Sequence, residues 1–423
     1  MGVVPIDVPG SCVISPSYEL KTMGAKTAMR IRDVKLMAPN VILKQANPPL
    51  YREIHRQFCR IFRDYSPDVL PKSIDEAVIY LHGSPALKVK TMEQIGLELK
   101  ERLYREIGCW MSVNVGIGCN AWQAKTAAGL HKPDGLDCID ATNLRGVLSS
   151  LRLTDLCGIA NGYEARLNQC GIFTPLEFLD AEADYLHRQV FGSVVGRYWC
   201  LMLHGYEHQS YLGPERKSYN NSHSIRVQSA DPEPNLSILC SLCEEAGRRM
   251  RRDMYSCRTI AVYLFYADGT YFKDMHTART FLYTTKELFT RATLMFNRQK
   301  EFKQIHKIAV HLYNLGEGAH EQLNLFDDDH GKQRKAMDAA YRINLKHGRN
   351  AIYIAPIHYS LGRIYDSISF CSTGDVHQLM EEMDAIELFD DMEEDVFFED
   401  GFPMAAIKDI PIRSKNNMGR VGI

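Results

Sequence analysis

The sequence contains no run of about 18 or more uncharged apolar residues, the length a helix needs to cross a bilayer. Nor does its N-terminus show the basic-then-apolar order of a secretory signal. A membrane-spanning or secreted protein is therefore not expected. Cysteine itself is plentiful, at 12 residues, but cysteine motifs are not: Cys240 and Cys243 form a C-x-x-C with no second ligand pair nearby. Its place on an amphipathic segment favours core packing over zinc. Scattered cysteines in so large a chain suit free thiols in a reducing cytosol better than a disulfide framework. Net charge is nearly absent too, at −2, but unevenly so. Residues 381–400, EEMDAIELFDDMEEDVFFED, hold eleven acidic residues and no Lys or Arg, which leaves about +9 on the remainder. That balance favours a polyanionic partner for the body of the chain and a solvated, disordered tail.

A chain of 423 residues with 45% hydrophobic content can bury several cores and is expected to form more than one domain. From 68 to 150, strand and helix patterns alternate: SIDEAVIYL, then TMEQIGLELKERLYREIG with Ile95, Leu99, Leu103 and Ile107 on one face, then MSVNVGIGCN, AWQAKTAAGLHKPDG and LDCID. This order predicts one sheet with helices packed on it. Residues 11–67 read as a short strand, CVIS, followed by small helices, including one with an Ile54/Phe58/Ile61/Phe62 face. Residues 152–212 read as helical. The segment GPERKSYNNSHS (213–224) reads as a polar connector, and beyond it NLSILCSLCEEAGRRMRRDM is a helix followed by strands in CRTIAVYLFYADGTYF and FKQIHKIAVHLYNL. The cluster Arg248, Arg249, Arg251 and Arg252 could meet phosphates or form a solvated helix face.

Two neighbouring carboxylates, Asp75 and Glu76, stand at the mouth of the apolar run Ala77–Leu81, which reads as a buried strand. An unpaired buried carboxylate costs several kcal/mol or takes up a proton, so the pair needs compensation. A divalent cation is one source, since Mg²⁺ commonly sits on one or two carboxylates plus substrate phosphates. A strand that begins at a solvated turn is the other reading. Further on, the Gly158-Ile159-Ala160 turn resembles a helix-hairpin-helix, whose turn amides can hold a phosphate, although a generic pair of helices would look the same.

Several of these pieces, in this order, resemble the Y-family (translesion, UmuC/DinB-like) DNA polymerases. SIDEA looks like their S-x-D-E-A hairpin. NVGIGCNAWQAKTAAGLHKPDG is similar to their V-G-I-(S/A)-x-N-x-x-x-A-K-x-A-x-x-x-x-K-P-x-G block, and CVISPSYELKTMGAKTAM to their nucleotide-binding stretch. The resemblance spans roughly residues 3–320. It implies an α+β multidomain, right-hand polymerase, with a ferredoxin-like palm (1–10 and 68–150), small helical fingers (11–67), a helix-hairpin-helix thumb (151–215) and an α/β little finger (222–316). It further implies a damage-tolerant, template-directed DNA polymerase acting on primer-template DNA and deoxynucleoside triphosphates with two Mg²⁺ ions, in the cytoplasm at the nucleoid. Carried over by position, Asp75 is a metal ligand and Glu76 the neighbouring catalytic carboxylate that also reaches metal. Tyr18, Lys21 (where the family more often has Arg) and Lys132 would hold the triphosphate, with Ser15 a lesser polar contact, and Gly158, Ile159 and Ala160 would touch DNA. Two-metal nucleotidyl transfer needs such carboxylates and basic groups to neutralise the reacting phosphates. EQLNLFDDD matches the bacterial sliding-clamp pattern Q-L-x-L-F at Gln322, Leu323, Leu325 and Phe326, in a C-terminal region of 317–423.

The family begins with an apolar strand that ends in a metal-binding Asp and is followed by an aromatic gate. This text holds neither, and Asp7 lies in what looks like the second strand. The expectation is that Met1 is an internal methionine and that the missing strand precedes it, so that the chain as written would be poorly active. The competing reading is a non-catalytic DNA- and clamp-binding accessory protein.

Overall fold

The computed structural model describes residues 1–7, 11–207, 217–317, 328–347 and 350–361. The clamp-like motif at 322–326 and the acidic stretch 381–400 lie outside them. The described residues divide into two units, one formed by residues 1–207 and the other lying within residues 217–361.

In the first unit, β1 (Gly2–Val4) pairs antiparallel with β2 (Ser15–Pro16) and parallel with β3 (Leu43–Gln45). Helices α1 (Tyr18–Thr22) and α2 (Ile31–Met37) cover this sheet, and Val4, Val13, Leu20, Ile31 and Val34 form its core. Burying Val4 there ties β1 to the segment expected to form the fingers, rather than to the strands of 68–150.

Helix α3 (Pro48–Arg63) starts at Asn47, whose side chain accepts from the Leu50 amide, with Pro48 in the first turn, where a missing N–H costs nothing. It packs against α4 (Met92–Glu106), which opens on a Thr91/Gln94 capping box and buries Ile95, Leu99 and Leu103 as the periodicity predicts. On α3 the fully buried stripe includes His55 and Cys59, while Ile54 is only half-buried. Ile61 is buried and Phe58 and Phe62 pack against the same core, so most of the expected face holds, and His55 and Cys59 widen the buried stripe beside it.

The hairpin β4 (Val69–Ser73) and β5 (Glu76–Ile79) and the parallel pair β6 (Val115–Gly118) and β7 (Leu136–Ile139) form two separate ladders, not the single expected sheet. Among the described residues no strand bridges them. The connection runs through helices instead, since α4 packs both on α3 and on β6 and β7. For the same reason the run Ala77–Leu81 is half-buried, not buried.

Helix α5 (Ala121–Ala127) lies against β6, followed by α6 (Leu144–Ser149), α7 (Asn161–Gln169), α8 (Pro175–Asp180), α9 (Ala183–Tyr185) and α10 (Val195–Leu203). Leu148, Leu153, Leu167, Phe178, Leu186 and Leu203 are the fully buried centre of this helical layer. Each such side chain contributes about 1.5–3 kcal/mol.

The second unit is an antiparallel sheet of order β10-β9-β11-β8, with β8 (Tyr219–Ser229), β9 (Tyr255–Tyr266), β10 (Tyr271–Leu282) and β11 (Ile305–Glu317). Helices α11 (Pro232–Arg252) and α12 (Thr285–Phe296) pack on one face, over Ile260, Val262, Leu264, Ile308, Val310 and Leu312. Strand β8 corrects the connector reading of 213–224. Its Asn, Ser and His residues carry no apolar alternation, and it is an edge strand paired only with β11. Cys240 and Cys243 are fully buried, in keeping with core packing, and burial pushes the Cys240 thiol up to about 12. The four arginines are neither a phosphate cluster nor a solvated face. Arg248 pairs with Glu245, Arg251 with Glu244 and the Tyr283 carbonyl, Arg252 with Asp253, and Arg249 donates to the Asn220 carbonyl. Helix α13 (Asp328–His347) docks through Asp338, which accepts from the Tyr283 hydroxyl at 2.8 Å.

Candidate active site and nucleic-acid surfaces

The β4–β5 hairpin turns through Ile74 and Asp75, with Ser73 opposite Glu76. Ser73 holds the turn: its hydroxyl donates to Asp75 Oδ1 at 2.5 Å and accepts from the Asp75 amide at 3.5 Å. Both acidic residues are exposed. This meets the solvated-turn half of the sequence reading and leaves the pair accessible from solvent.

Glu76 Oε1 accepts from Lys125 Nζ. With side chains 46% and 39% exposed, the pair adds at most about 1 kcal/mol of stability, so its effect is mainly orientation. Lys125 lies in the NVGIGCNAWQAKTAAGLHKPDG block, whose pattern alone gives it no separate role. What brings it to Glu76 is the way α5 is seated. Asn120 caps the helix by accepting from the Gln123 amide at 2.7 Å, and its own amide donates to the carbonyls of Met202 and Tyr206. Trp122 Nε1 donates to the Cys157 carbonyl at 2.9 Å, joining the same helix to the turn before α7. Beneath α5 stand Gly116 and Gly118. A Cβ on Gly116 would lie 1.9 Å from the Ala124 carbonyl oxygen, so only glycine allows this approach.

Two adjacent carboxylates offer hard oxygen donors suited to a divalent cation that completes its shell with water and phosphate. Lys125 already places one cation on Glu76. Among the described residues there is no group of three or more His, Cys, Asp or Glu side chains that could enclose a metal. The donor set therefore fits one ion held by two carboxylates, open on its remaining sides.

The other expected nucleotide contacts fall in two places. Tyr18 opens α1 behind the Ser17 cap, and Lys21 Nζ lies 4.7 Å from the centre of the Tyr18 ring, a cation–π contact that brings these two together. Ser15 is exposed in β2, opposite Val3. Lys132 is exposed in the turn after α5.

The Gly158–Ala160 turn lies between a 3₁₀ turn (Leu153–Asp155) and α7. Gly158 has φ +96°, and a Cβ there would press on the Trp199 ring at 3.1 Å. Ile159 is buried and anchors the turn, while Gly158 and Ala160 are exposed. Ala160 caps α7 without a side-chain hydrogen bond, so the first amides of that helix point outward without a side-chain acceptor at the cap.

In the second unit, the sheet face opposite α11 and α12 carries Tyr263, Phe265, Lys273, Lys307, His311 and Tyr313, which sequence reading did not single out. Register places Lys273 beside Tyr263 and Lys307 beside Phe265, with ammonium-to-ring distances of 5.2 and 5.5 Å. Tyr263 and His311 rings are 4.9 Å apart, and burial, helped by Lys273 and Lys307, holds His311 below the usual imidazole range. The signal was present as alternation, with Tyr263 and Phe265 two apart on β9 and Lys307, His311 and Tyr313 at alternate positions of β11.

Residues 2–129 match the impB/mucB/samB family and residues 216–325 its C-terminal domain. The DNA polymerase IV of Pelotomaculum thermopropionicum is 30% identical over 350 residues, covering 80% of this chain and 84% of that protein. That of Moorella thermoacetica is 29% identical over 367 residues, covering 84% and 88%. A solved Y-family DNA polymerase chimera superimposes with a TM-score of 0.61 at 20% identity, over 74% of this chain and 91% of that one, and so shares its α+β fold. No helix among the described residues is long and apolar enough to cross a membrane. With both of its halves matched in order and full-length polymerase relatives at this identity, the chain belongs to the impB/mucB/samB family, the Y-family (UmuC/DinB-like) DNA polymerases, and is a DNA-directed DNA polymerase.

Proposed function

We propose that Asp75 and Glu76 are the metal-holding carboxylates of a translesion polymerase that adds deoxynucleotides to a primer. The observation that carries this reading is the hairpin turn itself, in which Ser73 fixes an exposed Asp75 beside a Glu76 already engaged by a cation. Asp75 and Glu76 would hold a divalent cation there, which when bound would neutralise charge at the reacting phosphate and make the primer 3′-hydroxyl more acidic. Ser73 keeps one oxygen of Asp75 aimed, and Lys125 keeps the Glu76 side chain in place. Of the two ions that the family resemblance implies, Asp75 and Glu76 would hold one.

Tyr18, Lys21, Lys132 and Ser15 bind the triphosphate in this reading. Replacing Lys132 with Ala then raises the nucleotide KM about tenfold while kcat changes little, because a charge-assisted phosphate contact made equally in ground and transition states is lost. An unchanged KM in steady-state single-nucleotide kinetics would remove Lys132 from the site.

Primer-template DNA is held at two kinds of surface. The exposed amides of Gly158 and Ala160 and the start of α7 suit a backbone phosphate, with Ile159 as the buried anchor of the turn. The Lys and aromatic face of β9, β10 and β11 suits a nucleic-acid strand by charge and stacking. We take residues 68–150 as palm, 11–67 as fingers, 151–215 as thumb and 222–316 as little finger.

Gln322, Leu323, Leu325 and Phe326 anchor the chain to the bacterial sliding clamp, as an extended peptide with one amide and three apolar anchors suits a groove. Changing all four to Ala lowers affinity for the clamp at least about tenfold in surface plasmon resonance, since such anchors carry most of the binding energy. Equal affinity would sink this assignment.

A further inference from the structure

Helix α3 places an imidazole under the catalytic hairpin. His55 is 2% exposed, and its Nδ1 stands 3.0 Å from the carbonyl oxygen of Ile74, the residue before Asp75. A carbonyl only accepts, so Nδ1 carries the proton and donates. That leaves Nε2 as an acceptor, and the Cys59 thiol, one turn along the same helix, stands 3.5 Å from it. Burial pushes that thiol up to about 11, which keeps it protonated as a donor. Burial likewise holds His55 below the ordinary imidazole range, with the Ile74 carbonyl opposing. The ring is thus neutral, with both nitrogens engaged.

Ile74 lies where the β4–β5 ladder has ended, between the Ser73↔Glu76 pair. A turn residue at that point has no strand partner to fix its peptide plane. Ser73 orients the Asp75 side chain from within the turn, and His55 holds the main chain from below.

We infer that His55 is a positioning residue for nucleotidyl transfer: its bond to the Ile74 carbonyl fixes the peptide from which Asp75 projects. The inference rests on the proposal that Asp75 is a catalytic carboxylate. Its place in the site resembles that of outer groups which orient metal ligands, whose loss typically costs 10–100-fold in activity or metal affinity. No sequence pattern announces it, since a lone histidine on a helix reads as a surface residue.

The test compares the full chain with His55→Leu, which keeps volume but loses the donor, and His55→Asn, whose amide can replace Nδ1. His55→Gln, which moves the donor one bond outward, serves as a second polar variant should the leucine variant not fold. Two quantities are read: hydrogen–deuterium exchange of the peptide spanning 70–78, and kcat against nucleotide KM in primer extension. The expected result is about tenfold faster exchange at the turn and about tenfold lower kcat in His55→Leu, with KM unchanged. His55→Asn recovers both, and His55→Gln recovers neither. Faster exchange with unchanged kcat would show a purely structural role and overturn the inference, as would lower kcat with unchanged exchange, or an asparagine variant as impaired as leucine. If Asp75→Asn keeps full activity, the carboxylate reading itself fails, and it does so independently of the exchange comparison.

Discussion

Asp75→Asn loses templated nucleotide addition by about a thousandfold or more, while its melting temperature and its affinity for primer-template DNA stay as in the parent chain. The substitution keeps the shape of the side chain and an oxygen for the Ser73 hydroxyl, so the hairpin has no reason to move. What it removes is one full negative charge at an exposed turn. Coordination of a hard cation relies on that charge, and losing roughly 4 kcal/mol of transition-state stabilisation corresponds to about three powers of ten in rate. Because Asp75 is exposed and makes no ion pair to a basic side chain among the described contacts, its neutralisation should not stabilise or destabilise the fold by more than about 0.5 kcal/mol. Calorimetry and a filter-binding assay beside single-nucleotide kinetics separate these effects. Activity within threefold of the parent would remove Asp75 from the chemistry.

The second large effect is structural. Gly116→Ala destabilises the unit containing residues 1–207 by about 3 kcal/mol, the upper end of what overpacking costs. Its new methyl would meet the Ala124 carbonyl oxygen at 1.9 Å and the Ala128 nitrogen at 2.3 Å, backbone atoms that cannot rotate away as a flexible side chain would. Helix α5 must lift from β6, which carries Lys125 away from Glu76 and strains the Asn120 cap that ties α5 to the Met202 and Tyr206 carbonyls. The unfolding transition of this unit is expected to fall by about 10 °C in differential scanning calorimetry. A transition within 2 °C of the parent would mean that α5 is free to shift, and that its seating on β6 does not set the position of Lys125.

How much of this was legible in the sequence varies with the physical signal each element leaves. Helix α4 was readable because its apolar residues recur every three or four positions under a Thr91 cap: of the four expected core residues Ile95, Leu99 and Leu103 are buried, and Ile107, at the C-cap, is half-buried against them. Strands β9 and β11 were readable from dense β-branched and aromatic runs. Strand β8 was not, because a polar edge strand gains its ladder hydrogen bonds from a partner some 80 residues away and needs little apolar alternation of its own. The arginines of α11 looked available in sequence, but their partners Glu244, Glu245, Asp253 and the Tyr283 carbonyl are set by helix phase and by α12 packing. The same limit hid half of the candidate site. Asp75 and Glu76 announce themselves as adjacent charges before an apolar run. Lys125 becomes their neighbour only through the close approach of α5 to β6, and His55 becomes the support of Ile74 only through the packing of α3 against the hairpin. Both are long-range consequences of packing, 49 and 19 residues from the groups they hold.

The single sheet expected for 68–150 shows a related effect. Local pattern identified β5, β6 and β7 but not β4, whose residues precede the SIDEAVIYL run, and strand order depends on which edges find partners: here β5 and β6 each find only one. Side-chain packing of α4 against both ladders takes the place of a continuous hydrogen-bonded layer. Gly96 permits it, since a Cβ there would come within 2.8 Å of the Leu136 side chain.

The most direct test of the account is incorporation of a single nucleotide on an undamaged primer-template with Mg²⁺, each of the four deoxynucleotides offered separately to the full chain and to its Asp75→Asn variant. The account predicts that the parent chain adds chiefly the nucleotide complementary to the template, that omission of Mg²⁺ abolishes the product, and that Asp75→Asn yields none on the same time scale. Binding of primer-template by both proteins with extension by neither would contradict it, and would leave the chain as a DNA-binding accessory whose hairpin carboxylates do no chemistry.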